Sequence, residues 1–427
     1  MNFNRIVSSH TLRCMLKRAR NYYTVQSDKV TKPQNDIVKQ LRYKIKATGP
    51  ITVAEYMKEV LINPATGYYM HNDVFGQGGD FITSPELGQI FGEMIAIWFL
   101  NEWSKAGSPK PVHLVELGPG RGTLCQDILR VFKHFRLLEG ISVHLVEVSP
   151  HLSDLQARRL CLPSEINIGS NQETKFKTKQ DSLAYQEGQG ISGIPIAWYK
   201  HLDDVPNAFT LLIAHEFFDA LPIHKFQKTD QGYREVLVDI DPSNESNFRL
   251  VLSSNETAIG KLLIRNDETR PHLEVSPESL VLMQKIASKL ESYGGFALIA
   301  DYGHDGSGTD TFRAFKKHQL HDPLVDPGTA DLTADVDFAA LKKAATEKNE
   351  ILVFGPVPQR DFLINMGIEY RLRKLKEQAN EDQIKSLDYS YSTMTDPDKM
   401  GQRFKFLALA PLTLDKILKR YPLTGFQ

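Results

Sequence analysis

Apolar residues along this chain alternate between two periods. Val112, Leu114, Val115 and Leu117 form a dense run that reads as a buried strand, and Leu124, Ile128, Leu129 and Phe132 follow at helical spacing. Glycines at 118, 120 and 122 stand between the two runs and predict a tight turn. The alternation then repeats. Strands are predicted over 141–147, 194–199, 209–214, 294–300, 351–354 and 404–410. The 209–214 run is continuous enough to be buried on both faces. Helices are predicted over 153–160, 336–348, 361–364 and 370–379, and after Ser276-Pro277-Glu278, where Leu282, Met283, Ile286 and Leu290 make the apolar stripe. Strands alternating with helices in this way predict an α/β fold around a mostly parallel, Rossmann-like sheet.

Three stretches break the rhythm. Ahead of the sheet, Val38, Leu41 and Ile45 predict one helix, and 52–61 a second with Thr52 as N-cap; a turn rich in aromatics follows over 63–69. The glycine-hinged loop 76–79 leads through Asp80, Phe81 and Thr83 into Ser84-Pro85-Glu86, a helix start continued by Leu87, Ile90, Phe91, Met94 and Ile95. That loop reads equally as a lid or as an ordinary helix entry. Residues 175–189, 307–311 and 320–331 read as polar loops. Residues 223–275 carry two antiparallel candidates, 233–239 and 248–252, joined by a polar turn, and predict an inserted β-hairpin facing a substrate or partner. The expected divisions are a leader over 1–27, a helical and lid region over 34–110, the first half of the core over 111–222, an insertion over 223–293, and the rest of the core over 294–415.

The glycine turn constrains the ligand. A dinucleotide fingerprint needs Gly-x-Gly-x-x-Gly, but the third position here, 123, is threonine. Pro119 removes an N–H that a pyrophosphate would use, and Glu116 at the strand end would repel one. A carboxylate there suits a ligand bearing an ammonium group. S-adenosylmethionine (SAM) has an ammonium and a sulfonium and no phosphate. Glu147, 25 residues beyond Gly122 at the end of the next strand, is placed to accept from a ribose diol. Gly118, Gly120, Gly122, Glu116 and Glu147 are therefore the candidate SAM-binding residues. The 209–214 strand runs into His215-Glu216-Phe217-Phe218-Asp219, so Glu216 and Asp219 stand where open α/β sheets place the reacting group.

Composition narrows the classes further. A net charge of −1 gives no reason to expect nucleic-acid or membrane-surface binding. No apolar run approaches the ~18 residues of a membrane span, and 94–100 reads as a buried helix face. The first 27 residues are basic, hydroxylated and free of acids, with Arg5, Arg13, Lys17, Arg18 and Arg20, which is the pattern of a mitochondrial transit peptide. Cys14, Cys125 and Cys161 make neither a disulfide framework nor a metal site, so no metal is expected.

Several linked stretches resemble one family, the MidA-like methyltransferases (domain-of-unknown-function 185), across roughly residues 34–415. They are residues 49–57, 79–83, 115–123, 215–222, 301–303, 321–324 and 331–338, with His215 standing where bacterial relatives have asparagine. The resemblance implies a class I SAM-methyltransferase fold and symmetric dimethylation of an arginine. The implied target is a quinone-site core subunit of respiratory complex I, in the mitochondrial matrix during assembly. It also places Asp80, Phe81 and Thr83 over SAM. Arginine stays protonated in water, so carboxylates that fix its planar guanidinium are expected at the acceptor site, with Glu216 and Asp219 first and Asp301 in reserve. Two other functions fit the same residues: a SAM-binding assembly chaperone with little turnover, and a methyltransferase acting on a small phenol or quinone.

Overall fold

The computed structural model describes residues 34–71, 83–162 and 183–427. The leader-like 1–27 with Cys14, the loop 76–79, and Asp80 and Phe81 lie outside the described residues. In chain order, the elements that build the site are helix α1 (Val53–Ile62), strand β1 (Val112–Leu117), helix α2 (Thr123–His134) and strand β2 (Ile141–Val146). Next come helix α3 (Pro150–Leu160) and strands β3 (Pro195–Tyr199) and β4 (Phe209–His215). Helix α4 (Pro277–Tyr293) and strands β5 (Gly295–His304), β6 (Ile351–Pro358) and β7 (Phe404–Pro411) complete them.

The main sheet runs β6-β7-β5-β4-β1-β2-β3 and ends on a short strand, Gln186–Gln189. Strands β1 to β5 are parallel, while β7 is antiparallel to both neighbours. The chain walks outward from β1 through β2 to β3, then returns to place β4 on the other side of β1. The carboxyl ends of β1 and β4 therefore flank a switch point, where open α/β sheets bind ligands. Strand pleating divides the core between the two faces. Val112 and Leu114 pack with Gln89–Lys105, α2 and the C-terminal helices, whereas Val115 and Leu117 pack with α4 and Phe338–Thr346.

A third core joins segments far apart in sequence. Ile37, Leu41 and Ile45 of Gln34–Thr48, and Tyr56, Met57 and Val60 of α1, pack against Val238 and Phe248 of the insertion and against Ala314 and Leu332. Thr52 caps α1 as expected and forms a capping box with Glu55.

The structure corrects several expectations. The insertion is more than a hairpin: His224–Thr229, Gly232–Ile240, Phe248–Leu252 and His272–Val275 join Ile51–Thr52 in a five-stranded sheet. His224–Thr229 was concealed by its lysines, of which Lys225 is buried and paired with Glu274 at 3.1 Å. The 175–189 loop ends in strand Gln186–Gln189, whose polar side chains suit a half-exposed sheet edge. The 320–331 loop is flanked by strands Gln319–His321 and Asp331–Thr333, both paired to Arg313–Lys316. The 336–348 helix starts only at Phe338, where Asp337 is the N-cap, because Val336–Asp337 first pairs with the end of β5. The helix begun by Pro85 stops at Gly88 (φ 154°) and a new one, Gln89–Lys105, begins. The 370–379 helix is Ile368–Lys376, and Glu381–Thr395 is a further helix opened by an Asn380–Gln383 capping box.

Candidate active site

Both halves of the site form at the carboxyl ends of the parallel strands, where their side chains line one cleft of about 680 Å³. The cofactor half begins with the glycine turn. Gly118, Gly120 and Gly122 have φ of 60°, 52° and 77°, in the left-handed region that favours glycine. A side chain on Gly118 would also bring its Cβ within 2.6 Å of the Phe217 ring. The turn closes through Gly122 N–H donating to the Pro119 carbonyl at 2.7 Å, and α2 starts at once behind it.

Glu116 points from β1 towards the first turn of α2. It is 4% exposed, and its carboxylate accepts from the Cys125 backbone N–H. Its Oε2 has no partner. Burial pushes its pKa up to about 8. Glu147 lies one residue beyond β2. Its Oε1 accepts from Ser149 N–H at 2.8 Å and its Oε2 from Gln156 Nε2 at 3.0 Å, while burial lifts it to about 7. A buried, unpartnered carboxylate oxygen beside a phosphate-incompatible turn fits an ammonium-bearing ligand. Glu147 retains acceptor capacity for a diol. These residues therefore fit SAM, which carries both an ammonium and a ribose diol.

The sequence reading missed the residue that joins these parts. The Gln156 side chain is fully buried in α3; its Nε2 donates to the Gly120 carbonyl at 2.8 Å as well as to Glu147, and its Oε1 accepts from Trp198 Nε1 at 2.9 Å. A signal existed: Gln156 interrupts the apolar stripe of Leu152 and Leu160, and a polar residue on a buried helix face needs partners.

The acceptor half follows β4. Glu216 occupies the left-handed region (φ 48°), which is costly for a residue with a Cβ and is held here by its N–H donating to the Ala300 carbonyl at 2.9 Å. The turn after it is held by Asp301. Asp301 Oδ2 accepts from Phe217, Phe218 and Asp219 N–H groups at 3.1, 2.9 and 3.4 Å, and Oδ1 accepts from Tyr302 N–H at 3.0 Å. The Glu216 carboxylate accepts from Ser84 N–H, and its Oε1 has no hydrogen-bond partner. His215 Nε2 lies 3.4 Å from that oxygen, but burial drives the His215 pKa down to about 3, so the ring is neutral. Asp219 Oδ2 accepts from the Tyr302 hydroxyl and from Thr333 Oγ1 at 2.9 Å, and its Oδ1 is unpartnered. Burial first and mutual repulsion second raise the proton affinity of Glu216 well above that of an ordinary carboxyl.

Tyr69 links the two halves to the N-terminal region. Its hydroxyl donates to Asp331 Oδ1 at 2.6 Å, and its carbonyl accepts from Ser149 Oγ at 2.7 Å. Of the sequence candidates, Thr83, Glu116, Gly118, Gly120, Glu147 and Glu216 line the cleft. Gly122 shapes the turn from behind. Asp219 and Asp301 are buried beneath the wall, and Asp301 spends its oxygens on backbone N–H groups. No group of residues suited to a metal occurs among the described residues. Likewise, no helix there is long and apolar enough to cross a membrane.

Comparison with known proteins agrees with the cofactor half. Residues 94–357 match a family described as "putative S-adenosyl-L-methionine-dependent methyltransferase". The chain is 52% identical over 414 residues to the mitochondrial protein arginine methyltransferase NDUFAF7 of Xenopus laevis, covering 94% of this chain and 92% of that one. Against the human protein of that name identity is 50% over 397 residues, with coverage of 91% and 87%. A Drosophila melanogaster homolog is 48% identical over 409 residues, with coverage of 94% and 90%. Among solved structures, a Burkholderia thailandensis protein bound to S-adenosyl-homocysteine shares the fold, with a TM-score of 0.69, 22% identity, and coverage of 88% and 92%. A carboxylate-flanked glycine turn at the switch point of a parallel sheet, and relatives matched over nearly their whole length, place this chain in the SAM-dependent methyltransferase family that includes the mitochondrial NDUFAF7 proteins.

Proposed function

We propose that this enzyme methylates arginine in a protein substrate. The observation that carries the reading is a buried carboxylate oxygen at the acceptor end of the cleft, Glu216 Oε1, that has no hydrogen-bond donor. Buried acceptors left without partners are costly, and a guanidinium supplies planar donors and positive charge together. When bound, SAM supplies a methyl group already made electrophilic by its sulfonium. A guanidinium bound beside Glu216 favours its ionised form and expels its proton to solvent, and the carboxylate then orients the guanidinium and takes the proton that leaves the attacking nitrogen. Its raised proton affinity suits that task. Asp219, beneath the cleft wall and held by Tyr302 and Thr333, acts from behind by raising the proton affinity of Glu216. Asp301 acts through the backbone by fixing the turn that carries both acids. The family resemblance assigns Thr83, on the cleft wall, to covering the cofactor, together with Asp80 and Phe81, which lie outside the described residues.

Relatives at 48–52% identity are named mitochondrial protein arginine methyltransferases, which supports the same activity and compartment here. The finer reading is symmetric dimethylation, in the matrix, of a quinone-site core subunit of complex I during assembly. It rests on the motif resemblance and the transit-like first 27 residues. Tandem mass spectrometry of that subunit, from cells with and without this chain, tests it. A dimethylarginine that disappears with the chain and returns with wild type, but not with Glu216→Gln, is the expected result. Restored complex assembly with no methyl mark would instead assign a chaperone role. A mark found only on a small phenol would move the acceptor class.

A further inference from the structure

The mouth of the acceptor half has a character that its floor does not explain. Glu216, its side chain 13% exposed, lies at the floor, while Val281 on the same cleft wall is 51% exposed, so the cleft runs from solvent to the buried acid. The lining between them is mostly apolar, with Leu61 and Ile62 from α1, Pro277 and Val281 from α4, and Leu221 and Pro222 after β4, while Lys285, one turn beyond Val281, is paired outward with Asp203. The rim carries one ion pair across the mouth, Lys58 to Glu278 at 3.6 Å, with both side chains more than half exposed. Such a pair contributes about 0–1 kcal/mol and opens at little cost.

A guanidinium on the floor fixes where the rest of a substrate lies. Its methylene stem runs along the apolar walls, and its main chain lies in the mouth between α1 and α4. The neighbouring side chains then rest on Leu61, Ile62, Leu221, Pro222 and Val281. Polar neighbours would lose water there without gaining partners, whereas apolar neighbours would bury surface on both sides.

Resting on the arginine reading above, we propose that the enzyme selects an extended segment in which apolar residues flank the target arginine. The acidic floor takes the cation and the apolar rim takes its neighbours, so one occupant satisfies both. A segment of that composition is interior in a finished protein.

Short peptides with one arginine flanked by leucine, serine or aspartate test this. The readouts are KM and kcat for methyl transfer, and peptide binding to the cofactor-free enzyme by fluorescence anisotropy. Leucine flanks are expected to bind about tenfold tighter than serine flanks, and to lower KM by the same factor at similar kcat. Val281→Asp should remove that preference while leaving SAM affinity and the melting temperature in place. Equal affinity and KM for all three peptides, with Val281→Asp silent, would overturn the rim proposal and leave arginine methylation standing. If SAM binds but no arginine peptide is methylated or bound, the arginine reading itself fails and this proposal with it.

Discussion

Glu116→Gln gives the sharpest test of how the cofactor half recognises its ligand. In the cofactor-free protein burial holds the Glu116 pKa at about 8, so at pH 7 only about one molecule in ten carries the charge an ammonium requires. Binding SAM must therefore expel a proton. Glu116 contributes about 0.9 proton per SAM at pH 7, and Glu147, held at about 7, adds roughly half a proton if it too must ionise. SAM affinity should rise with pH up to about 8 and then fall as the ligand's own ammonium deprotonates. Between pH 7 and 8 the ionisation of Glu116 alone raises affinity about fivefold, or about 1 kcal/mol. Titration calorimetry in buffers of different ionisation enthalpy measures the proton count directly. Glu116→Gln should weaken binding and reduce proton release to the Glu147 share. The same shift bears on stability. A carboxyl whose pKa is raised by folding stabilises the folded state below its unfolded value of about 4.5, and that contribution is lost as pH rises through 8. His144 and His215, both lowered to about 3, act oppositely, but only up to their unfolded value of about 6.5. Between pH 7 and 8 the cofactor-free protein should therefore lose about 1 kcal/mol through Glu116 and a smaller amount through Glu147, and Glu116→Gln should remove the larger share of that slope. SAM binding without proton release, at constant affinity from pH 6 to 8, would refute the assignment of Glu116 to the ammonium.

Three further outcomes follow from the geometry. Gln156→Leu leaves the Trp198 indole N–H, the Gly120 carbonyl and Glu147 Oε2 each short of a buried partner. Chemical denaturation should show a loss of about 2–4 kcal/mol, and calorimetry a more than tenfold weaker SAM complex. Glu216→Gln keeps the shape and removes the proton acceptor; kcat should fall about 100-fold with SAM affinity unchanged, and wild-type turnover would exclude Glu216 from proton transfer. Asp301→Ala strips the acceptor from four backbone N–H groups. Melting temperature and kcat should drop together, and a variant that loses kcat alone would instead place Asp301 in contact with the acceptor.

The central elements were legible because their signals are local. The β1–turn–α2 unit needs only a dense apolar run, three glycines and a helical stripe, all within 21 consecutive residues from Val112 to Phe132. Glu116 and Glu147 were legible for the same reason, since each stands at the end of an apolar run. The insertion sheet was not legible beyond its hairpin. His224–Thr229 alternates weakly, and its buried Lys225 is stabilised by Glu274 and Asp310, from distant parts of the chain. The third core failed likewise, since no local pattern says that Tyr56 will meet Phe248. Among site residues, Asp301 could be recognised as a strand-end acid, but its work on the backbone of residues 217–219 depends on the pairing of β5 beside β4.

That pairing also explains how acids scattered over 185 positions, from Glu116 to Asp301, come to serve one cleft. Parallel register sets Leu117 of β1 beside Val146 of β2 on one side and Ala214 of β4 on the other, and sets His215 beside Ala300 of β5. Glu116, Glu147, Glu216 and Asp301 therefore emerge at nearly the same height on the sheet. A one-residue slip of β4 would exchange the faces of every residue after Phe209 and turn Glu216 away from the turn held by Asp301. The apolar runs that hold the register are thus as necessary to the chemistry as the carboxylates. The continuous burial of Thr210 to Ala214, with none of these residues more than 1% exposed, is what keeps the two halves of the site in contact.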